Sequence, residues 1–251
     1  MFQERIRGLE YSISHYNNHF YILTNKDKAY LVISERSNGL SQIRIKRWDG
    51  SEDYYLPFDN ETYTCYTGTN VDFDTEILRY GYNALTTPSS AIDFNMRTKT
   101  KTILKEQEVL GGKFNKDDYT SERIWATADD GTKIPMSIIY RKDMKKDGSN
   151  PLLQYAYGSY GSTVDPYFST IRLSLLDRGF IYVITHIRGG EYLGRQWYED
   201  GKLLAKKNTF TDFIACSQYL IKQHYTSSEH IYAMGGSAGG LLMGAVINIA
   251  P

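Results

Sequence analysis

The spacing of apolar residues changes near Tyr119, and this change divides the chain into two parts of different fold class. In the first part, apolar and polar residues alternate in short runs, such as those at 43–48 and 62–66, and turn dipeptides such as Asn38-Gly39 separate the runs. Alternation with a period of two between turn signals is typical of antiparallel β-structure. Residues 1–118 are therefore predicted to form a β-sandwich or part of a β-propeller.

In the second part, residues 119–251, predicted strands and helices alternate along the chain. The predicted elements are a hairpin around Asp129-Asp130-Gly131, strands at 152–157, 180–184 and 231–234, and helices at 168–177, 210–223 and 241–249. An apolar stripe that includes Ile171 predicts the buried face of the first helix. Thr209 and Asp212 have the spacing of a capping box at the start of the second helix. Strands that alternate with helices predict a parallel α/β sheet.

Composition and charge exclude several classes of protein. The chain has 29 Lys and Arg residues and 29 Asp and Glu residues, and this balance argues against a nucleic-acid partner, because phosphate contacts need a basic excess. Cys65 and Cys216 lack the spacing of metal ligands, so they are predicted to be free thiols in a reducing compartment. No apolar segment reaches the roughly 20 residues of a membrane span, and the residues after Met1 do not resemble a signal peptide. The sequence therefore predicts a cytoplasmic protein with no membrane partner.

A glycine-rich segment, Gly235-Gly236-Ser237-Ala238-Gly239, lies between the last predicted strand and the last predicted helix. This is the G-x-S-x-G pattern of a nucleophile elbow, in which small residues flank a serine on a strained turn from strand to helix. The helix N-terminus there directs its N–H groups and dipole toward a developing oxyanion. The context favours Ser237 as a catalytic nucleophile over the alternative, a glycine-rich turn with an incidental serine.

Several other stretches accompany this segment: Tyr157-Gly158-Ser159-Tyr160-Gly161, Arg188-Gly189-Gly190-Glu191 and those at 129–132, 173–180, 194–202, 207–210 and 234–240, with 34–36, 47–50 and 85–90 in the first part. Together these residues resemble the prolyl oligopeptidase family of serine peptidases, and within it the oligopeptidase B branch. The resemblance implies that residues 1–118 are the C-terminal blades of a β-propeller. It implies that residues 119–251 are an α/β-hydrolase peptidase domain that ends after the nucleophile elbow.

The resemblance also implies an activity and the residues that perform it. The family hydrolyses short peptides through an acyl-enzyme, without a metal or an organic cofactor, and the oligopeptidase B branch cleaves after Arg or Lys. Carried over to this chain, Ser237 is the nucleophile and the N–H of Ala238 is one oxyanion donor. The hydroxyl of Tyr157 is the second oxyanion donor, although a core tyrosine at the end of a strand is the alternative.

Two further positions correspond to substrate contacts in the family. Tyr160 matches an aromatic residue near the substrate pocket, with simple packing as the alternative role. Asp165 matches an acid that holds a second basic residue of the substrate, or it is a turn residue before Pro166. Tyr167 stands where the family has a second acid, which puts a preference for paired basic residues in doubt. The main role expected of residues 188–191 is to hold the structure of their loop, and substrate contact is the secondary one.

The chain departs from the family pattern after the nucleophile. In the α/β-hydrolase order the nucleophile precedes the acid and the histidine, yet no Asp, Glu or His follows Ser237. The general base and the acid that holds the primary basic residue are therefore missing from the 251 residues. All five histidines precede Ser237, and none matches the family's catalytic base: His15, His19, His186, His224 and His230. A second departure lies near 27–30, where the family carries a longer segment.

Three hypotheses remain open on the sequence. The first is an oligopeptidase known through an incomplete sequence, and the second is a catalytically inactive fragment of such an enzyme. The third is an esterase or lipase on the same hydrolase fold, which accounts for Ser237 but not for the β-rich first part.

Overall fold

The computed structural model describes residues 19–21, 30–72, 74–112 and 114–251, with backbone alone at 19–21. The segment 22–29 lies outside these residues, and with it most of the stretch 27–30 at which the sequence departs from the family pattern. His15 also lies outside them. Within the described part of the chain, no helix is long and apolar enough to cross a membrane. Cys65 and Cys216 are both buried and unpaired.

Two four-stranded antiparallel sheets make up the first part. The strands of the first sheet are β1 (His19–Tyr21), β2 (Tyr30–Ser37), β3 (Leu40–Arg47) and β4 (Asp53–Tyr55). The strands of the second are β5 (Tyr63–Thr67), β6 (Ile77–Ala84), β7 (Thr87–Asn95) and β8 (Thr100–Glu106). In each sheet neighbours in sequence pair with one another, which is the arrangement of a propeller blade. Buried side chains of both sheets, such as Ile43, Ile45, Leu78 and Tyr80, share one apolar core.

A five-stranded mixed sheet forms the centre of the second part. Its strands are β9 (Tyr119–Thr127), β10 (Lys133–Arg141), β11 (Leu152–Tyr155), β12 (Ile181–Thr185) and β13 (Ile231–Met234), in the spatial order β13-β11-β12-β10-β9. β11 pairs in parallel with both β12 and β13, whereas β10 pairs antiparallel with β9 and β12. The predicted hairpin and the three predicted parallel strands are therefore confirmed.

Four α-helices accompany this sheet: α1 (Thr170–Leu176), α2 (Arg195–Glu199), α3 (Lys207–Lys222) and α4 (Ala238–Ile249). The predicted buried face of α1 is wrong in one respect, since Ile171 is 84% exposed. Its buried side chains are Arg172, Leu173 and Leu176. Arg172 occupies the inner face instead, because its guanidinium lies 4.2 Å from the centroid of the Tyr182 ring and donates to the Tyr167 carbonyl at 2.7 Å.

The predicted capping box of α3 is also wrong. The helix begins at Lys207, before Thr209, and no side chain caps its N-terminus. The Thr209 hydroxyl donates instead to the carbonyls of Arg188 and Gly201, and the Asp212 carboxylate accepts from Arg188. Both side chains serve contacts with distant loops, which outweigh the local cap.

Candidate active site

Ser237 lies on the tight turn between β13 and α4. Its backbone angles are φ 55° and ψ −118°, a combination that residues other than glycine seldom adopt. The side chain is exposed and makes no capping hydrogen bond to α4. A strained, exposed residue between the last strand of the sheet and a helix has the geometry expected of a nucleophile elbow.

Glycines make this turn sterically possible. A Cβ at Gly235 would lie 2.4 Å from the carbonyl oxygen of Gly239, and a Cβ at Gly239 would lie 3.0 Å from that of Ala156. A Cβ at Gly236 would meet no atom within 4 Å. The sequence Gly-Gly-Ser-Ala-Gly thus satisfies a steric requirement at its first and last positions.

Ala238 is the first residue of α4, where backbone N–H groups have no acceptor within the helix. The amides of the next two residues, Gly239 and Gly240, each donate to a carbonyl of the turn at 2.8 Å, those of Gly236 and Ser237. The amide of Ala238 follows the nucleophile directly, so its place in the turn is that of an elbow oxyanion donor.

Tyr157 lies beside this elbow. Tyr155 pairs with Met234 in the parallel register of β11 and β13, so the residues that follow both strands meet at the same edge of the sheet. The approach is close, since a Cβ at Gly239 would lie 3.7 Å from the Tyr157 Cα. The structure therefore brings Tyr157 close to Ser237 and Ala238, which lie 80 and 81 residues later in the sequence.

Tyr160 lies on the same loop, with a positive φ of 58° and a side chain that is 78% exposed. Its ring centroid is 6.5 Å from that of Tyr157, with the two rings tilted by 47°. The exposed ring lies next to Tyr157 at this edge of the sheet, and its contact with a substrate stays a prediction.

Asp165 binds a residue of the first part. Its two carboxylate oxygens accept hydrogen bonds of 2.8 Å from the two terminal nitrogens of Arg36, on β2. Arg36 also donates to the carbonyl of Gly39 at 2.7 Å, in the turn between β2 and β3. The predicted substrate acid is thus paired with a protein guanidinium, a contact between distant residues that the sequence analysis missed.

The described histidines have other contacts. His186 follows β12, is buried, bonds to the Ser137 hydroxyl at 2.8 Å through Nε2, and stacks on Tyr192 at 3.6 Å. Burial, with the nearby positive charges of Arg123 and Arg36, lowers its pKa well below the usual 6.5. His224 and His230 lie after α3 and before β13, at the end of that strand opposite Ser237.

Residues at the N-terminal end of α3 hold the loops of this edge. The Lys206 ammonium donates to the Gly158 carbonyl at 2.5 Å and to the Ser159 hydroxyl at 2.7 Å. Arg188, which follows β12, makes two side-chain bonds to the fully buried Asp212 and one to Asp130 in the β9–β10 turn. These bonds agree with the expected structural role of the loop at 188–191.

Comparison with known proteins gives consistent matches for both parts of the chain. The model of the prolyl oligopeptidase family matches residues 166–251, and that of the prolyl oligopeptidase N-terminal β-propeller domain matches residues 27–107. The predicted fold class, part of a β-propeller followed by an α/β-hydrolase domain, is thereby confirmed. The predicted boundary between residues 118 and 119 is not tested by these matches and stays a prediction.

Individual relatives match over nearly the whole chain. Dipeptidyl aminopeptidase BI of Pseudoxanthomonas mexicana is 49% identical over 224 residues, which cover 89% of this chain and 31% of that protein. Protease 2 of Moraxella lacunata is 40% identical over 246 residues, 98% of this chain and 35% of that protein. The solved structure of oligopeptidase B from Leishmania major is 38% identical with a TM-score of 0.82, over 93% of this chain and 33% of that one. The chain therefore spans about a third of the length of these relatives.

Proposed function

This chain belongs to the prolyl oligopeptidase family, and we propose that it supplies the nucleophile and the oxyanion donors of a serine peptidase that hydrolyses short peptides after basic residues. The observation that carries the proposal is the strained, exposed Ser237 between β13 and α4. Tyr157 at the same edge of the sheet supports it further. Cleavage after basic residues rests on the likeness to protease 2 and oligopeptidase B.

The proposed reaction is acyl transfer in two steps. The Ser237 oxygen attacks the peptide carbonyl carbon while its proton passes to a general base; the C–N bond then breaks and the departing amine takes that proton. Water hydrolyses the resulting ester, releasing the acid and returning a proton to the Ser237 oxygen. In both steps the negative carbonyl oxygen accepts hydrogen bonds from the Ala238 amide and the Tyr157 hydroxyl.

The general base is not assigned to a residue of these 251. The three histidines with described side chains contact other groups or lie at the opposite end of β13, as given above. The proposal therefore concerns the nucleophile and the oxyanion site. Peptidase activity is proposed for the protein as its gene encodes it.

The test is hydrolysis of an N-blocked peptide with arginine before an aminomethylcoumarin group, by protein expressed from its own gene so that any further encoded residues are included. Ser237→Ala is expected to lower kcat by at least about 10³-fold, because no other group forms the acyl-enzyme. Ser228→Ala, at an exposed serine before β13, is the matched control and is expected to keep the full rate. Full activity of Ser237→Ala would exclude the proposal.

A second candidate follows from the relative at 49% identity, which is named a dipeptidyl aminopeptidase. Such an enzyme removes a dipeptide from a free substrate N-terminus, so the comparison is between a free and an N-blocked dipeptide of the same sequence, each carrying aminomethylcoumarin as the leaving amine after its second residue. A rate confined to the free form favours the aminopeptidase. The third hypothesis, an esterase on this fold, predicts faster turnover of p-nitrophenyl esters than of either peptide.

A further inference from the structure

Three residues at the start of α3 face the loops that end β11 and β12. Lys206, Thr209 and Asp212 follow one another at intervals of three, which places them on one side of the helix. Thr209 and Asp212 bind the loop after β12, through the Arg188 carbonyl, amide and guanidinium. Lys206 alone binds the loop after β11, the one that carries Tyr157.

Lys206 is an unusual cation in this position. Its side chain is half-buried, and among the residues that the structure describes no carboxylate lies within ion-pair distance of it. Burial lowers the pKa of its ammonium group. Burying a cation without a countercharge costs free energy. Loss of its hydrogen bonds to the Gly158 carbonyl and the Ser159 hydroxyl would leave the ammonium group unsatisfied, so these two bonds are expected to persist.

The loop that Lys206 binds has little freedom to adopt another position. Gly158 has a φ of 67°, and a Cβ there would lie 2.5 Å from Thr209 Cγ2 and 2.7 Å from Ile187 Cδ1. On the other side, a Cβ at Gly189 would lie 2.2 Å from the Gly158 carbonyl oxygen. That oxygen, held between Gly189 and the Lys206 ammonium, belongs to Gly158, the residue that directly follows Tyr157.

We propose that Lys206 is a positioning residue for the oxyanion site: by binding the Gly158 carbonyl and the Ser159 hydroxyl, it fixes the direction of the Tyr157 side chain toward the elbow. The inference rests on the proposed function, because it assigns Tyr157 the role of an oxyanion donor. Lys206 itself does not contact the substrate. Its effect on the rate passes through the backbone between residues 157 and 159.

The first experiment compares Lys206→Met with Lys207→Met, in protein expressed from its own gene. The two lysines are adjacent and lose the same charge, but Lys207 is exposed on the first turn of α3. Lys206→Met is expected to lower kcat by about 10-fold to 100-fold with KM changed by less than about 2-fold, since misplacing a donor affects the transition state more than the bound substrate. Lys207→Met is expected to leave both constants unchanged. Equal effects of the two variants, or a loss confined to KM, would overturn the proposal.

A double-mutant cycle with Tyr157→Phe tests whether Lys206 acts through Tyr157. If it does, Lys206→Met causes little further loss in the Tyr157→Phe background, because the donor that it positions is already absent. Multiplicative losses would show that the two residues act independently and would overturn the proposal. Ser159→Ala, which removes one of the two acceptors, serves as a milder variant in the same cycle if Lys206→Met does not fold.

A readout without catalysis separates this inference from the proposed function. Hydrogen exchange of the backbone amides at 158–162 is expected to be faster in Lys206→Met than in Lys207→Met, because the loop has lost its anchor. Unchanged exchange there would overturn the inference even in an active enzyme. An absence of peptidase activity in the parent protein together with faster exchange in Lys206→Met would instead count against the proposed function alone.

Discussion

Gly39 is a single residue whose missing side chain lets the two parts of the molecule meet. It lies in the turn between β2 and β3 with a φ of 85°, and a Cβ there would lie 2.2 Å from Tyr192 Cε1, in the second part. Tyr192 is 2% exposed and stacks on His186, so its ring has no space into which to move. Close packing at this point therefore depends on glycine for two separate reasons, the backbone angle and the space.

Gly39→Ala and Gly50→Ala separate these two reasons. Gly50 lies in the next turn of the same sheet with a similar φ of 77°, but a Cβ there would meet nothing within 4 Å. Gly50→Ala is expected to lower the free energy of unfolding by about 1–2 kcal/mol, from the backbone alone. Gly39→Ala is expected to cost a further 1–3 kcal/mol or so, from overpacking against Tyr192. Urea unfolding measures both, and equal losses would contradict the close contact.

His186 is the residue whose burial makes stability depend on pH. Its folded-state pKa lies well below 6.5, so below that pH the unfolded chain binds a proton that the folded protein does not. The free energy of unfolding should therefore fall as the pH drops below about 6.5, with a slope of up to about 1.4 kcal/mol per pH unit. In His186→Gln this part of the slope should be absent.

The measurement is urea unfolding of the parent and of His186→Gln between about pH 7.5 and about pH 5. The difference between the two proteins at the upper pH reports the lost contacts with Ser137 and Tyr192. The change in that difference as the pH is lowered reports the free energy of protonating His186 in the unfolded chain. Parallel curves for the two proteins would mean that His186 does not titrate with a lowered pKa.

At the scale of the elements, the sequence identified the strands and helices well and their ends less well. The alternating runs at 43–48 and 62–66 overlap β3 and β5, and the elbow pattern places Ser237 directly before α4, whereas β7, β8 and α2 had no predicted counterpart. The start of α3 was predicted three residues late, because Thr209 and Asp212 have the spacing of a local cap. Their actual partner, Arg188, lies more than 20 residues earlier in the chain, and no local pattern indicates such a contact.

Removing one partner of the Arg188–Asp212 ion pair is expected to cost much stability. Arg188 and Asp212 are both buried, and burial raises the pKa of the Asp212 carboxyl despite the neighbouring guanidinium. Asp212→Asn leaves the Arg188 charge buried without its main partner, so the free energy of unfolding is expected to fall by about 3–5 kcal/mol.

Asp130→Asn is the matched control, because Asp130 bonds to the same guanidinium but is 47% exposed at the side chain. Its removal is expected to cost only about 0–1 kcal/mol, since water solvates the exposed side of the pair. Denaturant unfolding of both variants gives the comparison. Similar losses in the two variants would contradict the assignment of Asp212 as the main partner of Arg188.

At the scale of the whole molecule, the sequence patterns did not predict the contacts between the first and second parts of the chain. The resemblance to a family assigned both fold classes, but it gave no indication that Arg36 of β2 would bind Asp165. The Arg123 guanidinium donates to the Asn38 carbonyl in the same turn, and the Thr62 hydroxyl donates to Ser121. The β2–β3 turn is thus anchored in the second part by Arg123 and, through Arg36 near the end of β2, by Asp165 in the segment that follows Tyr160.

The Arg36–Asp165 pair is expected to couple the stability of the two parts. Its groups are only 19% and 27% exposed and bond through two parallel N–H···O contacts, a geometry that strengthens an ion pair. A double-mutant cycle of Arg36→Ala and Asp165→Ala, followed by urea unfolding, should give a coupling free energy of about 1–3 kcal/mol. Arg36→Lys, which keeps the charge but loses the paired contacts, should retain less than half of it.

The bidentate pair of Arg79 and Asp93 is the control for this cycle, because it joins β6 to β7 within one sheet and its arginine is 49% exposed. Its coupling should lie near 0–1 kcal/mol and should be lost at about 1 M salt, where screening of exposed charges is nearly complete. Coupling between Arg36 and Asp165 should largely persist at that ionic strength, since much of the pair is shielded from the solvent. Equal coupling energies for the two pairs would mean that the contact between the parts adds no stability beyond that of an ordinary surface ion pair.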